Sequence, residues 1–326
     1  MAKKIAAKFQ KIGLVTKSNI IDTPEKMAFF RGVVSTLQES KKTIFFDQHA
    51  ADAYQLKKTS TKNRATVSAE SGYSTDELFA ICDLIIVMGG DGTILKTASH
   101  AASQNSRTRA TVGPLILGVN LGNLGFLSES SPATFTEDLR TLFAGKFSID
   151  SRTVMEVSLE RTGENPKHFC VLNDAVLNQG IYARLVSLEV EINVPHQPSL
   201  RVATYRSDGL IISTPTGSTG HSLAAGGPIV HPSLSAFILS PICPSSLSVR
   251  PIVIPNDQEI SIKLNSKPGG IQEVGLTLDG QRTIPLQQGD IIKIQASKEK
   301  LHLVRLEGNK NYYEILRTKL HWGGHV

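Results

Sequence analysis

The chain has 326 residues, of which 40% are apolar and 20% charged, and it carries a formal net charge of +6. This balance describes a globular protein with room for two cored domains, and it excludes a disordered tail or a fibrous repeat. No apolar stretch approaches the roughly 20 residues of a membrane-spanning helix, so no membrane partner is expected. Met1 to Lys11 lack the apolar centre of a signal peptide, and a cytoplasmic location is expected. Cys82, Cys170 and Cys243 are odd in number, far apart and set in apolar surroundings, so reduced core residues are expected rather than a disulfide framework. The nine histidines show no metal-ligand spacing, and any metal should arrive with a substrate. The positive charge is dispersed without interleaved aromatics, which argues against nucleic acid and suits phosphorylated small molecules. Its densest run, Lys57 to Arg64, reads as a solvated loop.

Taken in order, Ile12 to Thr16 is a short apolar strand. Thr23-Pro24-Glu25 then supplies a cap, a first-turn proline and a first-turn acid for a helix to about Ser40. Thr43 to Asp47 reads as a second strand, and Lys57 to Gly72 as a long polar connection. Ser74 and Glu77 make a capping box for a short helix. Asp83 to Met88 is a strand, a helix starts at Asp91, and Leu115 to Val119 is another strand. Gly122 to Leu127 is a glycine-rich turn, followed by a helix over Pro132 to Ala144. Strands alternating with helices imply a parallel sheet covered on both faces.

From Val154 the period changes. Val186, Leu188, Val190 and Ile192 alternate with polar residues, and Ile260-Ile262-Leu264 and Ile292-Ile294 repeat the pattern. The predicted fold class is therefore α/β: a doubly wound, Rossmann-like parallel-sheet domain over residues 1–130, then a β-rich, sandwich-like domain over 131–300. Residues 301–326, with a helix around Tyr312 to Arg317, are expected to pack back on the first domain.

The stretch Gly89-Gly90-Asp91-Gly92-Thr93 stands between a strand and a helix, at the carboxyl end of the sheet where ligands of such folds sit. Glycines let backbone approach a phosphate, and a helix N-terminus adds open N–H groups and a favourable dipole. An acid there points to chemistry, because a carboxylate beside phosphate is repelled unless it holds a metal, grips a hydroxyl or takes a proton. Downstream, Asp208 to Pro228 opens a buried-type strand into a run of Gly, Thr, Ser and Pro whose N–H and O–H donors suit ribose and phosphate oxygens.

Gly-Gly-Asp-Gly-Thr resembles the signature shared by NAD kinases, 6-phosphofructokinases and the diacylglycerol and sphingosine kinases. The second stretch, Thr214-Pro215-Thr216-Gly217-Ser218-Thr219 with Ala225-Gly226-Gly227-Pro228, is similar to the long motif of NAD kinases alone. Leu172-Asn173-Asp174-Ala175-Val176-Leu177 resembles that family's adenosine motif. Gly125-Phe126-Leu127, Pro244 to Pro251, Leu278-Asp279-Gly280-Gln281 and Tyr313 to Leu320 extend the similarity over nearly the whole chain from Lys11.

The resemblance implies transfer of the γ-phosphoryl of ATP, with Mg2+ delivered by the nucleotide, to the 2′-hydroxyl of the adenosine ribose of NAD. Inorganic polyphosphate is an alternative donor. It implies Asp91 as the catalytic acid/base, with Gly89, Gly90, Gly92 and Thr93 on phosphate and Lys96 reaching the ligand about one helical turn later. Phe126, Arg184, Arg206, Asp208, Thr219, Gly220, His221, Ser222, Ala224 and Gln281 join the binding set, with Asn173 and Asp174 on adenine and ribose. It further implies an interdomain site and a homo-oligomer, dimer or tetramer, with Gly217 to Ala224 near a subunit boundary. Two departures stand out: Gly220-His221 replaces the family's usual Ala-Tyr, and Ala224 its usual serine. Histidine stacks and donates less well than tyrosine and adds sensitivity to pH. A lipid or sugar kinase, which would not bind NAD, and a nucleotide-sensing module without turnover are the rival readings.

Overall fold

The computed structural model describes residues 5, 9–18, 20, 22–55, 72–100, 113–122, 125–180, 185–194, 198–265 and 274–321. It divides into two compact units, Met1–Ser151 with Leu301–Val326, and Arg152–Lys300. The division falls about twenty residues later than the sequence pattern suggests. It lies inside two long strands, β5 (Phe147–Glu160) and β16 (Ile291–Leu306), which pass from one unit into the other.

In the first unit, β1 (Lys11–Thr16), β2 (Thr43–Phe46), β3 (Leu84–Gly89) and β4 (Leu115–Asn120) pair in the order β2-β1-β3-β4, every pair parallel. The end of β16 joins β4 in the same sense through Leu303 and Ile116. β3 is buried along its length, as a strand covered on both faces must be. Alternation sends Leu84, Ile86 and Met88 into a core with Phe30, Val33, Val34 and Leu37 of α1 (Pro24–Glu39) and Phe135, Leu139 and Leu142. On the other face, a Cβ built at Gly13 would meet Cys82, Ile85 and Leu78, so the helix ending there packs closely against β1.

Local signals explain the helix ends. Thr23 accepts from the Lys26 N–H and Pro24 opens α1. Both halves of the Ser74–Glu77 capping box are formed at the next predicted helix, α3 (Thr75–Ile81), and Asn311 and Glu314 form another before the last described helix, Tyr312–Leu320. The helix expected from Pro132 begins at Phe135 and ends at Phe143. α2 (Gln48–Gln55), directly after β2, had no predicted counterpart.

In the second unit, β7 (Asp174–Gln179), β10 (Gly209–Ser213), β11 (Ala236–Ile242), β12 (Ile252–Pro255), β14 (Val274–Leu278) and β15 (Arg282–Leu286) form an antiparallel sheet ordered β12-β11-β10-β7-β14-β15. β13 (Glu259–Leu264) pairs with the start of β16, β8 (Val186–Asn193) with β13, and β9 (Leu200–Ser207) with β8, all antiparallel. The two sheets share one core: Val186, Leu188, Val190 and Ile192 of β8 join Ala175 and Leu177 of β7 and Leu210 and Ile212 of β10. That shared core makes the unit a sandwich.

Of the cysteines, only Cys82 is a core residue. Cys170 is half-buried on β6 (Lys167–Val171), Cys243 is exposed, and none of the three forms a disulfide. No helix among the described residues is long and apolar enough to cross a membrane. The Lys57 to Arg64 run lies outside the described residues.

Asp47 ends β2 and starts α2. Its carboxylate accepts from the Ala50 N–H at 2.7 Å and from the Thr16 N–H at 3.4 Å while it is 8% exposed. Burial pushes its pKa up to about 6 from 3.8, against those two N–H groups and the positive field of His49 and Lys96. Because the folded state holds this proton more tightly than the unfolded chain, the group's contribution to stability is present below pH 3.8 and lost as pH rises through about 6. The loss is at most about 3 kcal/mol. Asn keeps the cap and stays neutral. Asp47→Asn should therefore gain stability over the wild type between pH 4 and pH 7.5, as read by thermal melting at both; an equal difference at both values would refute the burial cost.

Candidate active site

β3 ends at Gly89 and α4 (Asp91–Ala98) begins two residues later, with Gly90 at its N-cap and no side chain capping it. A Cβ at Gly90 would meet nothing within 4 Å, and its φ of −96° is ordinary. Neither crowding nor backbone strain within the protein calls for glycine there. At Gly89 the opposite holds, since a Cβ would overlap the Thr93 hydroxyl.

Asp91 opens the helix, where the dipole favours its charge. Its carboxylate accepts from the Phe126 N–H at 2.8 Å and from the Leu127 N–H at 3.2 Å. This second turn is itself held from several sides. The Gly125 N–H donates to Ser128 Oγ at 3.1 Å, and Arg305 of β16 donates to the Phe126 carbonyl at 3.1 Å and to Glu129 at 2.9 Å. Burial works against the Arg305 charge, but Glu129 and Asp150 outweigh it and hold the guanidinium firmly protonated. Gly125 is required for contact: a Cβ there would overlap Asp91 Oδ1. Thr93 is half-buried in the first turn of α4, and Lys96 is exposed near its end.

In the second unit, Asn173 and Asp174 precede and open β7, and Thr214 follows β10, its partner strand. The Thr214 N–H donates to the Asn173 carbonyl at 2.9 Å, and its hydroxyl donates to the Leu172 carbonyl. The Gly217 N–H returns to Thr214 Oγ1 at 3.2 Å, starting a 3-10 turn over Gly217–Thr219 that leads into α6 (His221–Ala224) after α5 (Phe135–Phe143) of the first unit. Thr219, Gly220, His221 and Ala224 are at least partly exposed around this turn. His221 Nδ1 lies 3.3 Å from Asp174 Oδ2, with the imidazole side chain 65% exposed and the carboxylate 1%. Burial raises the Asp174 pKa, and the facing histidine opposes that rise. Asp174 Oδ1 and Asn173 Oδ1 are buried without a hydrogen-bond partner in the protein. Buried acceptors left this way are costly unless something else donates to them.

Residues 12–147 match the family model for the ATP-NAD kinase N-terminal domain, and residues 172–306 that for the ATP-NAD kinase C-terminal domain. The NAD kinase of Geobacter sp. (strain M21) is 38% identical over 314 residues, 96% of this chain and 99% of that protein. The NAD kinase of Magnetococcus marinus is 45% identical over 242 residues, 74% of each. The chain belongs to the NAD kinase family. Yeast NADH kinase complexed with NADH has the same fold at a TM-score of 0.82 and 26% identity, over 98% of this chain and 89% of that one. An NAD kinase from Archaeoglobus fulgidus in complex with ATP shares the fold at a TM-score of 0.64 and 20% identity, over 95% and 98%.

Within this NAD kinase fold the expected binding residues fall into separate groups. In the first unit Gly89 to Thr93 and Phe126 come together around Asp91, Phe126 through its backbone. In the second, Asn173, Asp174 and the Thr219 to Ala224 turn form one group, with exposed Gln281 just beyond the turn of Asp279. Arg206 and Asp208 lie at the other end of the β7–β10 pair, where Gly209 faces Asn178 and not Asp174. Four residues of strand separate the two ends, about 13 Å at roughly 3.3 Å per residue. There Asp208 accepts from the Gln179 side-chain amide at 3.0 Å, and Arg206 is exposed. Ser222 is fully buried, with its hydroxyl 2.9 Å from that of Ser240. Arg184 lies outside the described residues.

Arg305, Ser128 and Asp279 were not anticipated as site residues. Of these only Asp279 stood in a recognised motif, and a lone arginine 179 residues from its partner leaves no local signal.

The Gly125 contact yields a direct test. Gly125→Ala should displace the Asp91 carboxylate, the mobile member of the clash, and lower kcat at least about 100-fold with little change in melting. Near-normal kcat in a folded Gly125→Ala protein would show that Asp91 need not hold this position.

Proposed function

We propose that the chain phosphorylates the 2′-hydroxyl of the adenosine ribose of NAD, with Asp91 as the group that orients this hydroxyl and takes its proton. The observation that carries the assignment is the Asp91 carboxylate at a helix N-terminus, beside an open glycine turn and fixed by two backbone N–H groups. Each carboxylate oxygen accepts one N–H and keeps a lone pair for a hydroxyl. The bond from O2′ to the γ-phosphorus forms as the bond from that phosphorus to the bridging oxygen breaks, and ADP leaves. Such transfer needs alignment and neutralised oxygens more than covalent help.

Gly90, Gly92 and the first-turn N–H groups suit the phosphates, and Lys96 supplies a mobile cation within reach of them. Among the described residues no group of three or more His, Cys, Asp or Glu is placed to hold a metal ion. Magnesium is delivered with ATP, held by its phosphates, as the family resemblance implies. Asn173 and Asp174 offer acceptors for the adenosine hydroxyl and amino donors. Polyphosphate is the alternative donor. A cytoplasmic homo-oligomer with Gly217 to Ala224 near its boundary completes the reading, and light scattering would report its size. Lipid and sugar kinases lack the Thr214 to Pro228 motif, which favours NAD as acceptor.

The activity test is formation of NADP from NAD, ATP and magnesium, read with an NADP-specific dehydrogenase. Asp91→Asn keeps the shape and one acceptor but cannot take the proton, so kcat should fall about 10²- to 10⁴-fold. NAD binding and melting should be retained. Were Asp91 only a helix-start residue, Asn would be among its best replacements and kcat would barely change. No NADP from folded wild-type protein with either ATP or polyphosphate would sink the enzyme reading.

A further inference from the structure

Asp279 takes no part in the reaction as derived, yet it is one of the most heavily engaged carboxylates described. It is 7% exposed and accepts three consecutive backbone N–H groups, from Leu172 at 2.9 Å, Asn173 at 2.7 Å and Asp174 at 3.1 Å. Its own N–H donates to the Asp174 carbonyl at 2.9 Å. Every polar backbone tie from this residue therefore goes to one three-residue segment. The side chains of that segment end in Asn173 Oδ1 and Asp174 Oδ1, the two buried oxygens without a partner.

A simpler role must be weighed. Asp279 and Gly280 occupy the centre of a turn closed by the Gln281 N–H on the Leu278 carbonyl, with φ of 49° and 64°. Asp-Gly is a preferred pair for such a left-handed turn in a hairpin, whatever its side chain does. Asn-Gly suits the same turn equally well. The turn thus explains a small polar residue at 279, but not a carboxylate closed over three consecutive N–H groups of a segment distant in sequence.

Resting on the nucleoside role given above to Asn173 and Asp174, we propose that Asp279 is a positioning residue for NAD, its carboxylate fixing the backbone from Leu172 to Asp174 so that the two unpartnered oxygens stand ready for nucleoside donors. Preorganised acceptors lose less freedom on binding, so the clamp should act on affinity for NAD more than on turnover.

The charge state bears on this. Burial raises the Asp279 pKa from 3.8 to about 6 against its three N–H groups, and the neighbouring Asp174 charge adds to the rise. The titratable groups recorded against the cluster are Asp174 itself and His221, which faces Asp174. Ionised Asp279 offers all its acceptor sites to the N–H groups. That form is lost as pH falls through about 6, so the clamp loosens in acid.

The experiment compares the full-length wild type with Asp279→Asn, which keeps the turn and removes the charge. The KM for NAD should rise about tenfold at pH 8, with kcat and the KM for ATP changed less than threefold, an order-of-magnitude bound on the same grounds. In the wild type the KM for NAD should climb as pH drops through about 6, and in Asp279→Asn this climb should flatten. Without any substrate, amide hydrogen exchange at Leu172, Asn173 and Asp174 should be faster in the variant. Unchanged exchange at these amides would overturn the proposal even if NADP is formed normally, and so would a fall in kcat with an unaltered KM for NAD. If the wild type makes no NADP, the functional reading fails, and exchange together with calorimetric titration of NAD still decides the clamp. Loss of folding in both Asp279→Asn and Asp279→Gly would assign the residue to the fold and overturn the proposal.

Discussion

The placement of Asp91 depends on one contact: a carboxylate at the head of α4 meeting the backbone of the turn after β4. Parallel strands deliver both turns to the same edge of the sheet, because each β-strand ends there before its chain turns away. Proximity alone does not orient a side chain. Two N–H groups do, and they are available only because Gly125 has no Cβ to occupy the space that Asp91 Oδ1 fills. The turn is steadied in its own right by Arg305, which reaches it from β16 and is flanked by Glu129 and Asp150. The segment after Leu301 therefore belongs to the first unit for a physical reason: without it, the turn that holds Asp91 would lose its anchor.

Asp47, Asp91 and Asp279 show the same device at three places. Each carboxylate closes on backbone N–H groups of a segment distant in sequence or at the start of a helix. An anion held by N–H donors ties a loop with more energy than a neutral hydrogen bond supplies. Burial limits the device, since Asp47 and Asp279 are pushed up to about 6 even with their donors in place. Loops carry function because they are adaptable, and these anchors restrict that freedom at chosen points.

Much of this was legible in the residues, and the exceptions have causes. The Val186 to Ile192 alternation was readable because one face of β8 is in the core and the other is not, so burial and hydropathy share a period. The β3 run and its glycine turn were equally plain. α2 was not, because its sequence, QHAADAYQ, has three alanines as its buried face and no large apolar repeat. The first unit runs on past residue 130 to Ser151 because α5 packs Phe135, Leu139 and Leu142 into the parallel-sheet core, whereas the change of period at Val154 falls close to the break itself. Ser222 carries a motif's residue type, but which hydroxyls of a Ser/Thr-rich run turn inward is set by distant Ser240, and no local pattern records that. Gly90 and Gly125 look alike in sequence and differ wholly in reason, one leaving space and the other avoiding a clash.

The state of Asp174 connects stability to function. A buried carboxylate with one oxygen facing a histidine and the other without a donor is an unfavourable arrangement, and its raised pKa is the measure of that. A donor arriving from outside the protein would relieve this cost. Hydroxyls of a bound ribose are such donors. They would stabilise the ionised form, and a ligand that does so lowers the pKa and releases protons from whatever fraction was neutral before binding. On the proposed nucleoside role of Asp174, affinity at this site would come less from new apolar area than from relieving that unfavourable arrangement, and the proposed Asp279 clamp would keep a shift of the backbone from relieving it first.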